Sequence, residues 1–175
     1  MRWFNHILIS AAPAALIAPN LAPYVILGAT APDWLEWVTA ILRQPVPHRG
    51  PTHWVLAWAV GILVGILIPN WEGSIVTAFA WGGLSHCLAD SLTITGVPFS
   101  PLSDRRFHLM GGQLRTGGAG EYAVSWSVVL ICWVLSSQFN EPRGNYIPFF
   151  FNWSQRYQDG IATAKEWRDN RLKFF

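Results

Sequence analysis

Residues 54–69, WVLAWAVGILVGILIP, hold sixteen positions without a charge. A run of this length and apolarity predicts a helix that crosses a bilayer. Gly61 and Gly65 stand four apart, a small-xxx-small face that lets a second helix approach closely. Asn70 to Gly73 then reads as a short turn, and residues 74–94 as a returning span. Its far end is polar. Phe79, Gly82, Gly83, His86 and Asp90 recur at the helical period and share one face. Upstream, residues 7–30 are uncharged, yet Pro19 and Pro23 bracket Asn20 and Leu21. Proline ends helices and biases the residue before it, so this run predicts a re-entrant hairpin with halves too short to cross. Downstream, residues 95–121 read as a loop rich in Gly, Pro and Arg, and residues 123–139 as a last span.

The expected fold is therefore all-α: a polytopic helical membrane protein with a re-entrant N-terminal hairpin and about three full spans. Residues 1–139 form the helical membrane domain. Residues 140–175 form a polar tail with the aromatic cluster YIPFFFNW, and 157–173 is expected as an interfacial or soluble helix. Composition agrees. Of 175 residues, 51% are hydrophobic and 13% charged, with 11 Trp and 10 Phe. Soluble domains carry about 25% charged residues, and amphipathic rings suit the headgroup level. A cleaved signal peptide is the competing reading of residues 1–19, but Pro13 breaks the run and His6 sits at its mouth. The net charge of +2, with scattered basic residues, gives no nucleic-acid signature. Cys87 and Cys132 lie in apolar segments and read as small buried hydrophobes.

Following the sides of the membrane brings the ionisable residues together. His6 opens the hairpin and Asp33 closes it. His48 and His53 precede the first span, the next span returns His86 and Asp90 to the same side, and His108 follows in the loop. All five histidines of the chain and two carboxylates thus converge on one face. His86 and Asp90 stand one helical turn apart, a spacing at which imidazole and carboxylate grip one ion. The competing reading is a hydrogen-bonded pair that ties helices together. Intramembrane ionisable residues are costly and usually functional, and with His6, Asp33 and His53 beside them metal binding is expected. Nitrogen and oxygen ligands without thiolate suit Zn²⁺, with Mn²⁺ or Fe²⁺ as alternatives, one or two ions per chain.

In residues 47–53, PHRGPTH, Gly50 and Pro51 give a turn and Thr52 a helix cap. Arg49 is expected to hold an anionic group such as a phosphate; otherwise it snorkels to headgroups. Arg49 and His48 would offset developing charge, and Glu121 or His108 would shuttle protons or add a ligand.

These residues resemble the YdjM-type family of membrane-bound metal-dependent hydrolases. The resemblance rests on His6, APD at 31–33, HRGPTH at 48–53, SHCLAD at 85–90, GVP at 96–98 and Glu121. It covers about residues 5–130. Relatives often carry a second acid two positions after the first, where this chain has Leu35, with Glu36 one residue later. The ligand order is also similar to that of zinc-dependent phospholipase C, which implies a phosphoester. The expected function is a membrane-bound metal-dependent hydrolase acting on a phosphoester or lipid-linked substrate in a bacterial inner membrane. Its expected partners are membrane lipid or a lipid-linked small molecule and no nucleic acid, and an oligomer is compatible with the sequence. Two alternatives stand beside it: a non-enzymatic scaffold, and a transporter, which would need polar residues toward the far face that 54–69 lacks. Arginines flanking the spans favour a cytoplasmic site.

Overall fold

The computed structural model describes residues 1–138, 157–158, 160 and 163–170. The chain is predominantly α-helical. Helix α1 spans Trp3–Ile17, and a 3-10 turn, Pro19–Leu21, hands over to α2, Ala22–Ile41. A 3-10 turn at Pro51–His53 precedes α3, Val55–Leu67, which is followed by α4, Trp71–Ser91. A two-stranded hairpin, β1 (Val97–Ser100) and β2 (Ser103–Phe107), leads to α5, Ala119–Gln138. In the tail, α6 covers Ala164–Asn170. The aromatic cluster of residues 146–153 lies outside the described residues.

The proline-bracketed turn is where the sequence puts it, and the two prolines do what their chemistry allows. Pro19 opens the 3-10 turn and Pro23 sits in the first turn of α2, positions where a missing N–H costs little. The hairpin is longer than expected, because Pro13 and Pro32 lie inside α1 and α2 without ending them. Tertiary packing has overridden the local break. At 20 residues, α2 is about 30 Å long, so this half of the hairpin is not too short to cross, contrary to expectation, and it places Asp33 in its interior, not at its end.

Among the described residues one helix is both long and apolar enough to cross a membrane: Ala119–Ser136 of α5, with mean hydropathy 1.4. The spans expected at 54–69 and 74–94 are helices, but α3 has only 13 residues, about 20 Å, and α4 is polar over its last two turns. The segment 95–121 is also more ordered than a loop. In its hairpin Val97 pairs with Phe107, with a bulge after Pro98. Val97 is fully buried and packs with Val55 and Cys87, which folds the hairpin over the start of α3. Cys87 is accordingly a small core hydrophobe, as expected; both cysteines are free.

Helix α4 is the centre of the assembly, flanked by α2 and α3. Glycine makes both contacts close. A Cβ at Gly82 would stand 2.2 Å from the Val25 carbonyl oxygen, and one at Gly83 2.2 Å from the Trp58 ring. Only a residue without a side chain fits there. This approach sets the distance between α2 and the polar end of α4.

Candidate metal centre

One turn beyond Gly82 on α4 comes His86, and beside Gly28 on α2 comes Ala29. The close helix contact lets His86 Nδ1 donate to the Ala29 carbonyl at 2.7 Å. A carbonyl only accepts, so Nδ1 carries the proton and Nε2 presents a lone pair. That Nε2 faces Asp33 Oδ1 and Asp90 Oδ2, each at 3.8 Å. His6, from the second turn of α1, stacks on His86 with ring centroids 3.6 Å apart, and its Nε2 is 3.4 Å from Asp90 Oδ1. His53, from the turn before α3, brings Nε2 to 3.5 Å from Asp33 Oδ1. The three imidazoles are at most 1% exposed.

Six buried side-chain polar atoms lack a hydrogen-bond partner among the described residues, and four are imidazole nitrogens of this cluster: both of His6, and Nε2 of His53 and His86. Each orphaned buried group costs about 1–3 kcal/mol, so their concentration at one point calls for an occupant. The spacing says which kind. Two donors bound to one ion at 2.0–2.2 Å in tetrahedral geometry lie about 3.3–3.6 Å from each other. The four imidazole–carboxylate distances, 3.4–3.8 Å, match edges of such a polyhedron more closely than hydrogen bonds. Two groups of donors result, His6–His86–Asp90 and Asp33–His53–His86, joined at His86. The residues fit a divalent cation. All five ligands expected from the sequence are brought together.

A third group, Asp33–Glu36–His48, adjoins them. Glu36 was not among the expected ligands. Its signals were its place one residue after the relatives' second acid and three residues after Asp33, on the same helical face. Loop residues 48–52 fold back onto it. Glu36 Oε2 meets His48 Nδ1 at 2.9 Å, and Oε1 accepts from the Arg49 backbone N–H at 3.0 Å and Thr52 Oγ1 at 3.4 Å. Thr52 therefore makes no helix-capping bond; its hydroxyl turns to Glu36 and to His53 Nδ1, 3.0 Å away.

The remaining expected residues are placed as follows. Arg49 has φ +56° and points inward. Its Nη2 pairs with Asp90 Oδ2 at 2.7 Å, and Nη1 donates to Thr93 Oγ1 and the Gly96 carbonyl. The Met1 nitrogen also contacts Asp90. Both cationic groups, the Arg49 guanidinium and the Met1 nitrogen, thus fall on Asp90, while Asp33 and Glu36 face imidazoles. Glu121 is buried and lies outside the donor groups. Its oxygens accept from the backbone N–H of Arg2 and Gly117 and from the Asn5 amide, which ties α5 to the start of α1. His108 is exposed, with ring nitrogens 3.2 and 3.1 Å from the Arg106 and Ile94 carbonyls, and also stands apart.

The centre opens on one side. Side-chain exposure is 3% at Asp90 but 18% at Asp33, 14% at Glu36 and 70% at His48. The rim there is aromatic: Trp3 Nε1 donates to Asp33 Oδ2 at 2.5 Å, and the Trp3 and Trp37 rings lie 5.9 Å apart. No curated relative and no solved structure matches the chain. The family model described as YdjM inner membrane protein matches residues 1–144, a span that contains every residue of this centre. The chain therefore belongs to the YdjM inner membrane protein family.

Proposed function

We propose that the protein is a membrane-bound, metal-dependent hydrolase of the bacterial inner membrane, acting on a phosphoester carried by a lipid or lipid-linked small molecule. The observation that carries this reading is the set of buried, unpartnered Nε2 atoms of His6, His53 and His86 at ligand-edge distances from Asp33 and Asp90. These five residues would hold one or two divalent ions, with Zn²⁺, Mn²⁺ or Fe²⁺ suited to the nitrogen and oxygen donors. A divalent ion supplies Lewis-acid polarisation and eases the ionisation of water at neutral pH.

The chain's own groups have distinct tasks around it. Arg49 neutralises Asp90 and fixes its orientation, since its guanidinium is taken up by Asp90, Thr93 and Gly96. His48, at the open edge, is placed to exchange a proton with substrate or solvent. Glu121 anchors α1 and so sets the height of His6. His108 buttresses the base of the β-hairpin between Ile94 and Arg106. In the bilayer, α1 and α2 form the re-entrant hairpin, and α3, α4 and α5 cross, the short α3 by local thinning of the membrane. The aromatic rim of Trp3 and Trp37 sits at the headgroup level, where a lipid-borne phosphoester arrives. The arginines near the spans orient this rim toward the cytoplasm.

The test uses the full chain purified in detergent. Elemental analysis should find one or two transition-metal ions per chain, and a generic phosphodiester such as bis(p-nitrophenyl) phosphate should be hydrolysed in a metal-dependent way. His86→Ala should lose both while keeping its helical content. A chain that stays metal-free after supplementation refutes the reading. Metal without hydrolysis of any phosphoester would instead assign the cluster to a scaffold that holds helices together.

A further inference from the structure

The three imidazoles of the centre are not held alike. His86 is locked by the Ala29 carbonyl, whereas both nitrogens of His6 are unpartnered. His53 is held in a third way, through side chains. We propose that Glu36, acting directly and through Thr52, is a positioning residue that holds His53 in the tautomer whose Nε2 faces the ion. The inference rests on the metal-centre reading above and assigns two residues outside its ligand set.

Thr52 Oγ1 stands 3.4 Å from Glu36 Oε1 and 3.0 Å from His53 Nδ1. A carboxylate only accepts, so the single hydroxyl hydrogen of Thr52 goes to Glu36. Toward His53 the same oxygen can then only accept, and Nδ1 must carry the hydrogen. Glu36 Oε1 lies 3.3 Å from that Nδ1 and acts in the same sense. Nε2 is left as a lone pair, 3.5 Å from Asp33 Oδ1 and fully buried. Reversing the Thr52 hydrogen bond would put the proton on Nε2, toward Asp33 Oδ1 at 3.5 Å, and would close the position to a cation.

Carboxylates behind ligating histidines typically strengthen metal affinity 10–100-fold. Glu36 does this while gathering the loop that carries His53, since the Arg49 N–H and His48 also end on it. Thr52 is the more selective probe, because it joins only Glu36 and His53. Its indole-facing carbonyl, which accepts from Trp58 Nε1 at 2.8 Å, belongs to the backbone and survives substitution.

The experiment takes the full chain in detergent as wild type, Glu36→Gln, Thr52→Val and Thr52→Ser, each checked for helical content. Co²⁺ titration gives affinity, stoichiometry and the visible ligand-field spectrum. Nitrogen-15 spectra of histidine in the metal-free protein give the His53 tautomer. Thr52→Val and Glu36→Gln should bind Co²⁺ about 10–100-fold more weakly, with an altered spectrum and a His53 tautomer mixture, while Thr52→Ser stays close to wild type. Wild-type affinity and tautomer in both Glu36→Gln and Thr52→Val would overturn the proposal. So would loss of one of two ions in Glu36→Gln with the other bound as before, which would make Glu36 a ligand. Wild type that binds no Co²⁺ refutes the metal reading, and the tautomer measured without metal still decides the role of Glu36.

Discussion

The two ends of α4 meet their neighbours by opposite means. At its C-terminal end Ser85, His86, Asp90 and Ser91 are buried polar residues, and nearly every hydrogen has a named acceptor. At its N-terminal end Ser74, Thr77, Ala78 and Trp81 border a cavity of about 620 Å³ lined chiefly by Ile17, Leu21, Val25, Ile66 and Ile68. The first end is specified atom by atom. The second packs Gly73 and Thr77 closely on α3 and leaves open apolar space toward α1 and α2. A polar group is held at one distance and angle, whereas apolar contact is non-directional. Substitutions of similar size should therefore differ sharply in effect between the two ends.

The largest effect is expected from His86→Ala, which removes the donor shared by both ligand groups. Metal content should fall to background in elemental analysis, and hydrolysis with it. If the variant keeps its metal, the polar end is no more particular than the apolar one. Next comes the response to metal. Ion added to the stripped protein at about 100 times its Kd should stabilise it by about 2.7 kcal/mol, read as a raised thermal midpoint in detergent. His86→Ala should show no such shift. A smaller loss, about 1–3 kcal/mol, is expected for Gly82→Val, which forces a side chain against the Val25 carbonyl. Because Gly82 sets the distance between α2 and α4, metal affinity should drop as well; a stability loss with unchanged affinity would uncouple that contact from the site. The smallest effect belongs to the far end. Ser74→Leu, beside the cavity, should move stability by less than about 1 kcal/mol and leave metal affinity unchanged.

The same contrast explains what was legible in the sequence. His86 and Asp90 were readable because both lie on one helix, where spacing fixes geometry. The turn at Pro19–Leu21 was readable because proline acts locally. Convergence of His6, Asp33 and His53 followed from counting crossings, which uses only the direction of each element. Pro13 misled, since packing against α4 and α5 keeps α1 helical through it. Glu36 escaped for another reason. Its function depends on residues 48–52 folding back on α2, a contact that no local pattern announces. Arg49 drew the expectation of a free anion-binding group. Its left-handed backbone turns the guanidinium inward to Asp90 instead. The hairpin at 97–107 was hidden because its strands are four and five residues long and contain Pro98.

The clamp of Glu121 on Arg2 and Asn5 has a consequence for biosynthesis. The first turn of α1 is held by a residue translated more than a hundred positions later, and the centre itself waits for Asp90. At 5–20 residues per second, roughly 4 to 17 s separate the emergence of His6 from that of Asp90. By the end of that interval the nascent chain carries His6, Asp33, His53 and His86 with no finished pocket around them. Closure of the pocket therefore cannot precede the arrival of α4.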